Sequence, residues 1–292
     1  MDDIAEALGT AGYAVMPQVI EPSLVRHLRG VLLRWFGSGR PARFRDGLAS
    51  FDPFNEPDLT ELLVLLENRP ILETLRKVIG PELCYCNHSA AFCNVATLWH
   101  RDHFGIDGRQ DAGPEGYALY KVMLYLQDHK HGAGALRVKP GSHRADTAME
   151  RTLHVAAGDA ILFDPRLLHC GTERTVLPMP IDWVLRRVLR RLPNRDDAFA
   201  VRRFIRRLHA PEDRLLVSFV FGRANAYSRM HLEKFWQHQR ALGAHHRPPS
   251  DAVVATLGRL GIRALDVDGV VRGTEIPRPI PAWFALATAT HQ

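Results

Sequence analysis

The sequence predicts a mainly β fold, a sandwich or barrel of short strands flanked by helices. Three observations predict it. From Glu82 onward the apolar pattern leaves the helical period for alternation or short apolar runs. These runs recur at regular spacing and are separated by Gly and Pro turns. Helical spacing is found before residue 81, after residue 223 and in one α-helical insert at 176–210 with segments 183–192 and 199–208, so the regular strand–helix alternation of a parallel α/β sheet is absent.

The elements follow in order. Residues 2–11 read as a helix ending at Gly12, and residues 13–17 as a short strand. Pro22 and Ser23 open a strong helix over 23–36, with Pro at a starting position. Residues 37–57 read as a loop. Helices fit 58–68 and 70–80, the second closed by Gly80. Strands are expected at 83–93, 117–128, 134–143, 152–164, 167–171 and 214–222. The run at 117–128 is apolar enough to be buried on both faces, and 214–222 reads as a central strand. Helices over 226–242 and 250–260 precede an irregular tail. The expected organisation is one domain: helical support at 1–81, a β core from 82–175 and 212–222, a basic insert at 176–211, and a helical region at 223–292.

Composition narrows the function classes. The 292 residues are 46% hydrophobic and 24% charged, as in ordinary globular proteins. No apolar run is long enough to span a bilayer. Met1-Asp2-Asp3 lacks the basic-then-apolar pattern of a secretory leader. Cys84, Cys86, Cys93 and Cys170 do not form a disulfide framework for a chain of this size. A cytoplasmic protein is expected. The net charge of +6 is carried by residues 176–210, which hold nine Arg against three Asp. Two segments there, 183–192 and 199–208, alternate paired arginines with apolar pairs. They either pack an apolar stripe on the barrel and solvate their arginines, or form a lid. As a lid they would steer an anionic substrate, or a substrate held on an acidic carrier protein. Too few exposed aromatics accompany the arginines for nucleic-acid binding.

Residues 95–105 carry the first chemistry. They read as a strand end running into Gly105, so His100 and Asp102 project from one face and Trp99 and Arg101 from the other. An imidazole and a carboxylate so placed can share a metal ion. Two histidines and one carboxylate with open positions suit non-haem Fe(II). Chance alone gives about one His-x-Asp in a chain of this composition, and a surface His beside a solvated Asp is the ordinary alternative. His169 is the candidate second histidine. It follows a Gly158-Asp159 turn, an apolar strand and a second turn at Asp164-Pro165. A lone His in an apolar strand is more often a satisfied core residue.

In order, residues 78–83, 98–104, 119–129, 134–144, 158–164 and 168–172 resemble the phytanoyl-CoA dioxygenase family of Fe(II)- and 2-oxoglutarate-dependent oxygenases. The run Gly134-x-Leu136-x-Val138-x-Pro140-Gly141-Ser142-His143 and the Gly158-Asp159 pair are its most characteristic pieces. The likeness spans roughly residues 8–175 and 212–222. It implies a double-stranded β-helix, or jelly roll, with flanking helices. It also implies His100, Asp102 and His169 as the iron ligands. Iron, 2-oxoglutarate and dioxygen would then hydroxylate or otherwise oxidise a small-molecule C–H bond, with release of succinate and CO2. A carboxylate at position 102 points to hydroxylation or a related oxidation, because halogenases of the superfamily carry a small residue there.

The co-substrate's distal carboxylate needs a cation. The family places an arginine soon after the distal histidine, and here the pattern departs. Arg174 is close but borders the insert. Arg214 comes 45 positions later yet opens the strand at 214–222, and is preferred for its bidentate fork on a rigid strand. Lys121, a cation within an apolar strand, is the second candidate, and Thr172 could add a hydroxyl. His143 is expected to fix a turn, His103 to point away from the metal, and His88 and Asn87 to lie near the pocket. Two other classes compete: a metal-binding jelly roll acting as isomerase or sensor, and a binding protein using its basic insert. The cationic pair Lys121 and Arg214 argues against the first, since a site without an oxo acid needs neither.

Overall fold

The computed structural model of the chain describes residues 2–45, 47–102, 116–129, 135–171, 187, 213–241 and 247–267. The insert apart from Arg187, with Thr172, Arg174, His103, the loop to residue 115 and the tail from 268, lies outside the described residues.

Helix α1 (Asp2–Thr10) ends where Gly12 adopts φ +83° and its amide donates to the Ala7 carbonyl. A side chain at Gly12 would collide with His143, so glycine serves both the turn and the close contact. Strand β1 (Tyr13–Met16) follows. Helix α2 (Pro22–Gly37) buries Val25, Leu28, Val31, Leu32, Trp35 and Phe36, a stripe at helical spacing. Residues 58–68 do not form the expected α-helix. They are a 3-10 helix over Pro57–Leu65, broken at Leu59. Helix α3 (Arg69–Ile79) is capped by Asn68, whose side chain accepts from the Ile71 amide, and ends at Gly80.

The β core holds β4 (Leu83–Cys93), β5 (Leu119–Tyr125), β6 (Leu136–Val138), β7 (Arg151–Leu153), β8 (Ala160–Phe163), β9 (His169–Gly171) and β10 (Leu215–Arg223). The stretch 152–164 is therefore two strands in two sheets, parted at Gly158 with φ +92°. The larger sheet runs β1-β8-β5-β10-β4 and continues into β3 (Gly47–Phe51) and β2 (Ala42–Phe44). The smaller is β7-β6-β9. All these pairings are antiparallel, and the architecture is the jelly roll.

Strand period decides what each face meets. On β5, Val122 and Leu124 join Leu162 and Val217 in the core beneath α2 and α3. Met123 and Tyr125 point the other way, into the core between the sheets with Leu136, Phe163 and Leu216. That explains why the run of residues 117–128 is apolar on both faces. Lys121 shares parity with Met123 and Tyr125, which sends its ammonium inward.

The loop expected at 37–57 instead carries the β2–β3 hairpin. Its strands of three and five residues are held by pairing β3 to β4, a contact without local signature. Behind β10 come α4 (Ala226–Ala241) and α5 (Asp251–Arg259), then β11 (Arg263–Leu265), which pairs parallel to β4 where an irregular tail is expected. Among the described residues no helix is long and apolar enough to cross a membrane.

Asp52 ties the 3-10 segments to β4. It is buried, accepts from Asn55 Nδ2 at 2.5 Å and Ser89 Oγ at 3.3 Å, and its amide donates to the Ser89 carbonyl. Burial pushes its carboxyl up to about 7. A carboxyl raised on folding binds its proton more tightly in the native state, so stability declines as pH rises from the ordinary carboxyl range through about 7. Asp52→Asn should remove that decline. In urea unfolding the variant should gain roughly 2–3 kcal/mol on wild type between pH 5 and pH 8. An unchanged difference would mean that Asp52 titrates normally.

Candidate metal centre and active site

The segment 95–102 is not the regular strand expected of it. Only His100 pairs, forming an isolated antiparallel bridge with His169 that extends the β7-β6-β9 sheet. The two backbones exchange both hydrogen bonds, at 2.9 and 3.0 Å, so the histidines stand side by side, ring centroids 4.3 Å apart. The Asp102 amide donates to the Pro165 carbonyl at 2.9 Å, anchoring the carboxylate to the turn that precedes β9.

Each imidazole is held from behind. His100 Nδ1 lies 2.7 Å from the Leu98 carbonyl and His169 Nδ1 lies 2.9 Å from the Leu167 carbonyl. A carbonyl only accepts, so each Nδ1 carries the proton and each Nε2 offers a lone pair inward. Asp102 Oδ1 is 3.5 Å from His100 Nε2, and its Oδ2 is 3.4 Å from His169 Nε2. The ligand atoms all lie within 4.8 Å of one another. Ligands about 2.1 Å from a common ion lie roughly 3–4 Å apart, so the set fits one metal ion after small side-chain movement. The expected triad is brought together.

Electrostatics suits a cation. Burial opposes charge on Asp102, but Lys121 and His169 outweigh it and hold the carboxyl well below the usual range. Burial pushes His169 below the ordinary imidazole value. Burial acts the same way on His100, yet Asp102 overrides it and raises this more exposed ring. Lys121 Nζ donates to Asp102 Oδ2 at 2.8 Å, so this lysine is engaged with the metal-site carboxylate.

A cavity of about 300 Å³ opens from the triad between the sheets. Arg214 lines it, immediately before β10. Asn94, at φ +61°, clasps that strand start: its Oδ1 accepts from the Arg214 amide and its own amide donates to the Arg214 carbonyl. Arg214 Nη2 donates to the Val95 carbonyl at 2.6 Å. A Cβ on Gly171 would come within 3.0 Å of Nη2, so glycine at this β9 position makes room for the guanidinium. Tyr125 also lines the cavity near Arg214, and its buried hydroxyl has no hydrogen-bond partner among the described residues.

Of the other expected residues, His143 sits in a turn with Nε2 near the Gly9 carbonyl, away from the cavity. His88 lines the cavity. Asn87 instead joins the network behind it, donating to the Arg247 carbonyl. Sequence reasoning missed Phe44, Arg45 and Phe51 of the hairpin and Phe235, His238 and Gln239 of α4, all of which line the cavity. The second group was legible as a stripe: His231, Phe235, His238 and Gln239 fall at helical spacing.

A model of the family described as phytanoyl-CoA dioxygenase matches residues 9–175. The chain belongs to the phytanoyl-CoA dioxygenase family. No curated protein sequence matches it. Among solved structures it is similar to the non-heme alpha ketoglutarate dependent epimerase SnoN from nogalamycin biosynthesis, at 16% identity and TM-score 0.53, over 76% of this chain and 82% of that one. It is similar to the non-heme alpha ketoglutarate dependent carbocyclase SnoK of the same pathway, at 14% and 0.53, over 77% and 85%. It is also similar to HygX from Streptomyces hygroscopicus with nickel and 2-oxoglutarate bound, at 16% and 0.51, over 76% and 87%. At such identities the likeness shows the fold.

Lys121 and Asp102 are a buried ion pair, and removing one partner of such a pair strands the other charge. Lys121→Met should lower the stability of the metal-free protein by about 3 kcal/mol. Saturating nickel(II) should then raise its melting temperature more than it raises that of wild type, because the ion replaces the lost counter-charge. Equal rises in both proteins would show that Lys121 and the metal do not share Asp102.

Proposed function

We propose that this chain is an Fe(II)- and 2-oxoglutarate-dependent dioxygenase that hydroxylates an unactivated C–H bond of a small molecule. The observation that carries this reading is the convergence of His100 Nε2, His169 Nε2 and Asp102 on one point, with both Nδ1 atoms locked to carbonyls. Those three residues would hold the iron and leave positions open for the oxo acid and dioxygen. Arg214 would pair with the distal carboxylate of 2-oxoglutarate, and the Tyr125 hydroxyl, buried near it without a partner, would donate to the same group. Iron and 2-oxoglutarate, when bound, supply oxidative decarboxylation: one oxygen atom of dioxygen enters succinate as CO2 leaves, and the other oxidises the substrate.

The residues around them do the positioning. The carbonyls of Leu98 and Leu167 keep both imidazoles neutral at Nδ1–H and aimed inward. Lys121 keeps Asp102 ionised and fixes its rotamer. Asn94 and the Val95 carbonyl orient Arg214 before any ligand arrives. The names given to SnoN and SnoK support an oxo-acid-dependent reading of the fold, and the hydroxylation outcome rests on the carboxylate at position 102. A cytoplasmic setting and an anionic or carrier-bound substrate belong to the same proposal, the latter on the charge of residues 176–210.

Aerobic incubation with Fe(II) and 2-oxoglutarate should yield succinate, and His100→Ala, Asp102→Ala and His169→Ala should each abolish it in a folded protein. Near-wild-type succinate from His169→Ala would remove the triad assignment. Arg214→Ala should raise the apparent KM for 2-oxoglutarate on the order of a hundredfold, while Arg174→Ala leaves it nearly unchanged. The reverse pattern would move the anchor to Arg174.

A further inference from the structure

At the end of the cavity formed by α4 and β4, two polar side chains are built into an aromatic wall. His88 is 3% exposed, and its ring stacks on Phe235 with centroids 3.6 Å apart. Its Nδ1 lies 2.8 Å from His231 Nε2, which leaves Nε2 as the polar atom of a ring that lines the cavity. The register of β10 against β4 jumps from Ser89 to Cys86, so Asn87 and His88 form a bulge that β10 does not pair. Gln239, 5% exposed, lines the same end, and its buried Oε1 has no hydrogen-bond partner among the described residues. A buried amide oxygen left so costs stability unless a ligand supplies a donor.

Phenylalanines line the same cavity. Phe44, Phe51 and Phe92 meet in a cluster, with Phe44 and Phe51 edge to face at 5.5 Å and Phe51 and Phe92 edge to face at 6.3 Å. All three line the cavity with Phe235. Burial and the neighbouring His231 and Lys121 hold His88 far below the ordinary imidazole value, so it is a neutral hydrogen-bonding group and no counter-ion. A cationic ligand is disfavoured as well, because the described lining offers four cationic side chains, Arg45, Arg101, Lys121 and Arg214, against the single carboxylate of Asp102.

We infer that this end of the cavity is a substrate-recognition subsite for a mainly apolar ring compound that carries a hydroxyl. The four phenylalanines hold the ring, and His88 and Gln239 hold the hydroxyl. A hydroxyl donates its one proton to Gln239 Oε1 and accepts from His88 Nε2–H, the tautomer in which His88 Nδ1 accepts from His231 Nε2–H. The subsite rests on the reading of the cavity as an active site, and it would place the ring between α4 and the metal ligands.

The test uses the full-length, metal-free protein with phenol and toluene as probes, so it does not depend on turnover. Dissociation constants are measured by titration, with the side-chain amide resonance of Gln239 reporting the site. Phenol should move that resonance. The toluene-to-phenol ratio of dissociation constants should fall about tenfold in Gln239→Leu and in His88→Phe, with toluene binding retained. Gln239→Leu should leave the melting temperature unchanged or raise it, since it removes a buried oxygen without a partner. A ratio that stays at the wild-type value in both variants overturns the subsite, as does failure of both probes to bind below about 10 mM. Succinate formation without any phenol preference would retain the oxygenase and discard the subsite. Phenol preference without succinate formation would do the opposite.

Discussion

The carboxylate of Asp102 is buried at the meeting point of three parts of the chain, and a buried charge must be paired. Its partners come from far apart: Lys121 from β5 of the larger sheet, His169 from β9 of the smaller, and His100 from the bridging segment beside it. The two sheets are therefore joined by a polar cluster as well as by the apolar core of Met123, Tyr125, Phe163 and Leu216. A divalent ion can replace part of that pairing without moving the backbone, because both imidazoles already turn their unprotonated nitrogens inward. The ligand set is organised by the fold before any metal arrives.

The remainder of the cavity follows from keeping that cluster between sheets. Arg214 lines one side of it, where Gly171 leaves space and Asn94 clamps the head of β10. Aromatic and polar side chains line the rest. The β2–β3 hairpin brings phenylalanines, and α4 brings a face of His, Phe and Gln. Arg214, the metal-site cluster, His88 and Gln239 thus share one space.

Much of this was legible in residue order. The change of period at Glu82, the doubly apolar run of 117–128 and the Gly and Pro turns describe a strand-rich core, and the family motifs name the ligand set. The inward lysine at 121 could be read from an apolar strand with a single cation. Elements held by one distant pairing were not legible. The strands 42–44 and 263–265 are short, carry little alternation, and exist because β4 is long enough to pair with β3 near one end and β11 near the other. The same holds for 95–102, where a single bridge to His169 does the work of a strand.

By itself the sequence determined the class of fold, the three residues of the candidate metal site and the presence of an arginine at the head of a central strand. These depend on local period and on motifs whose spacing is short. Only the tertiary structure decided which nitrogen of each histidine faces inward, which oxygen of Asp102 meets Lys121, and which aromatics close the cavity. The nitrogens follow from carbonyls two residues upstream once the bridge between His100 and His169 fixes the local backbone, and the rest depends on strand registers and helix faces brought together by packing, where residue order carries no distance information.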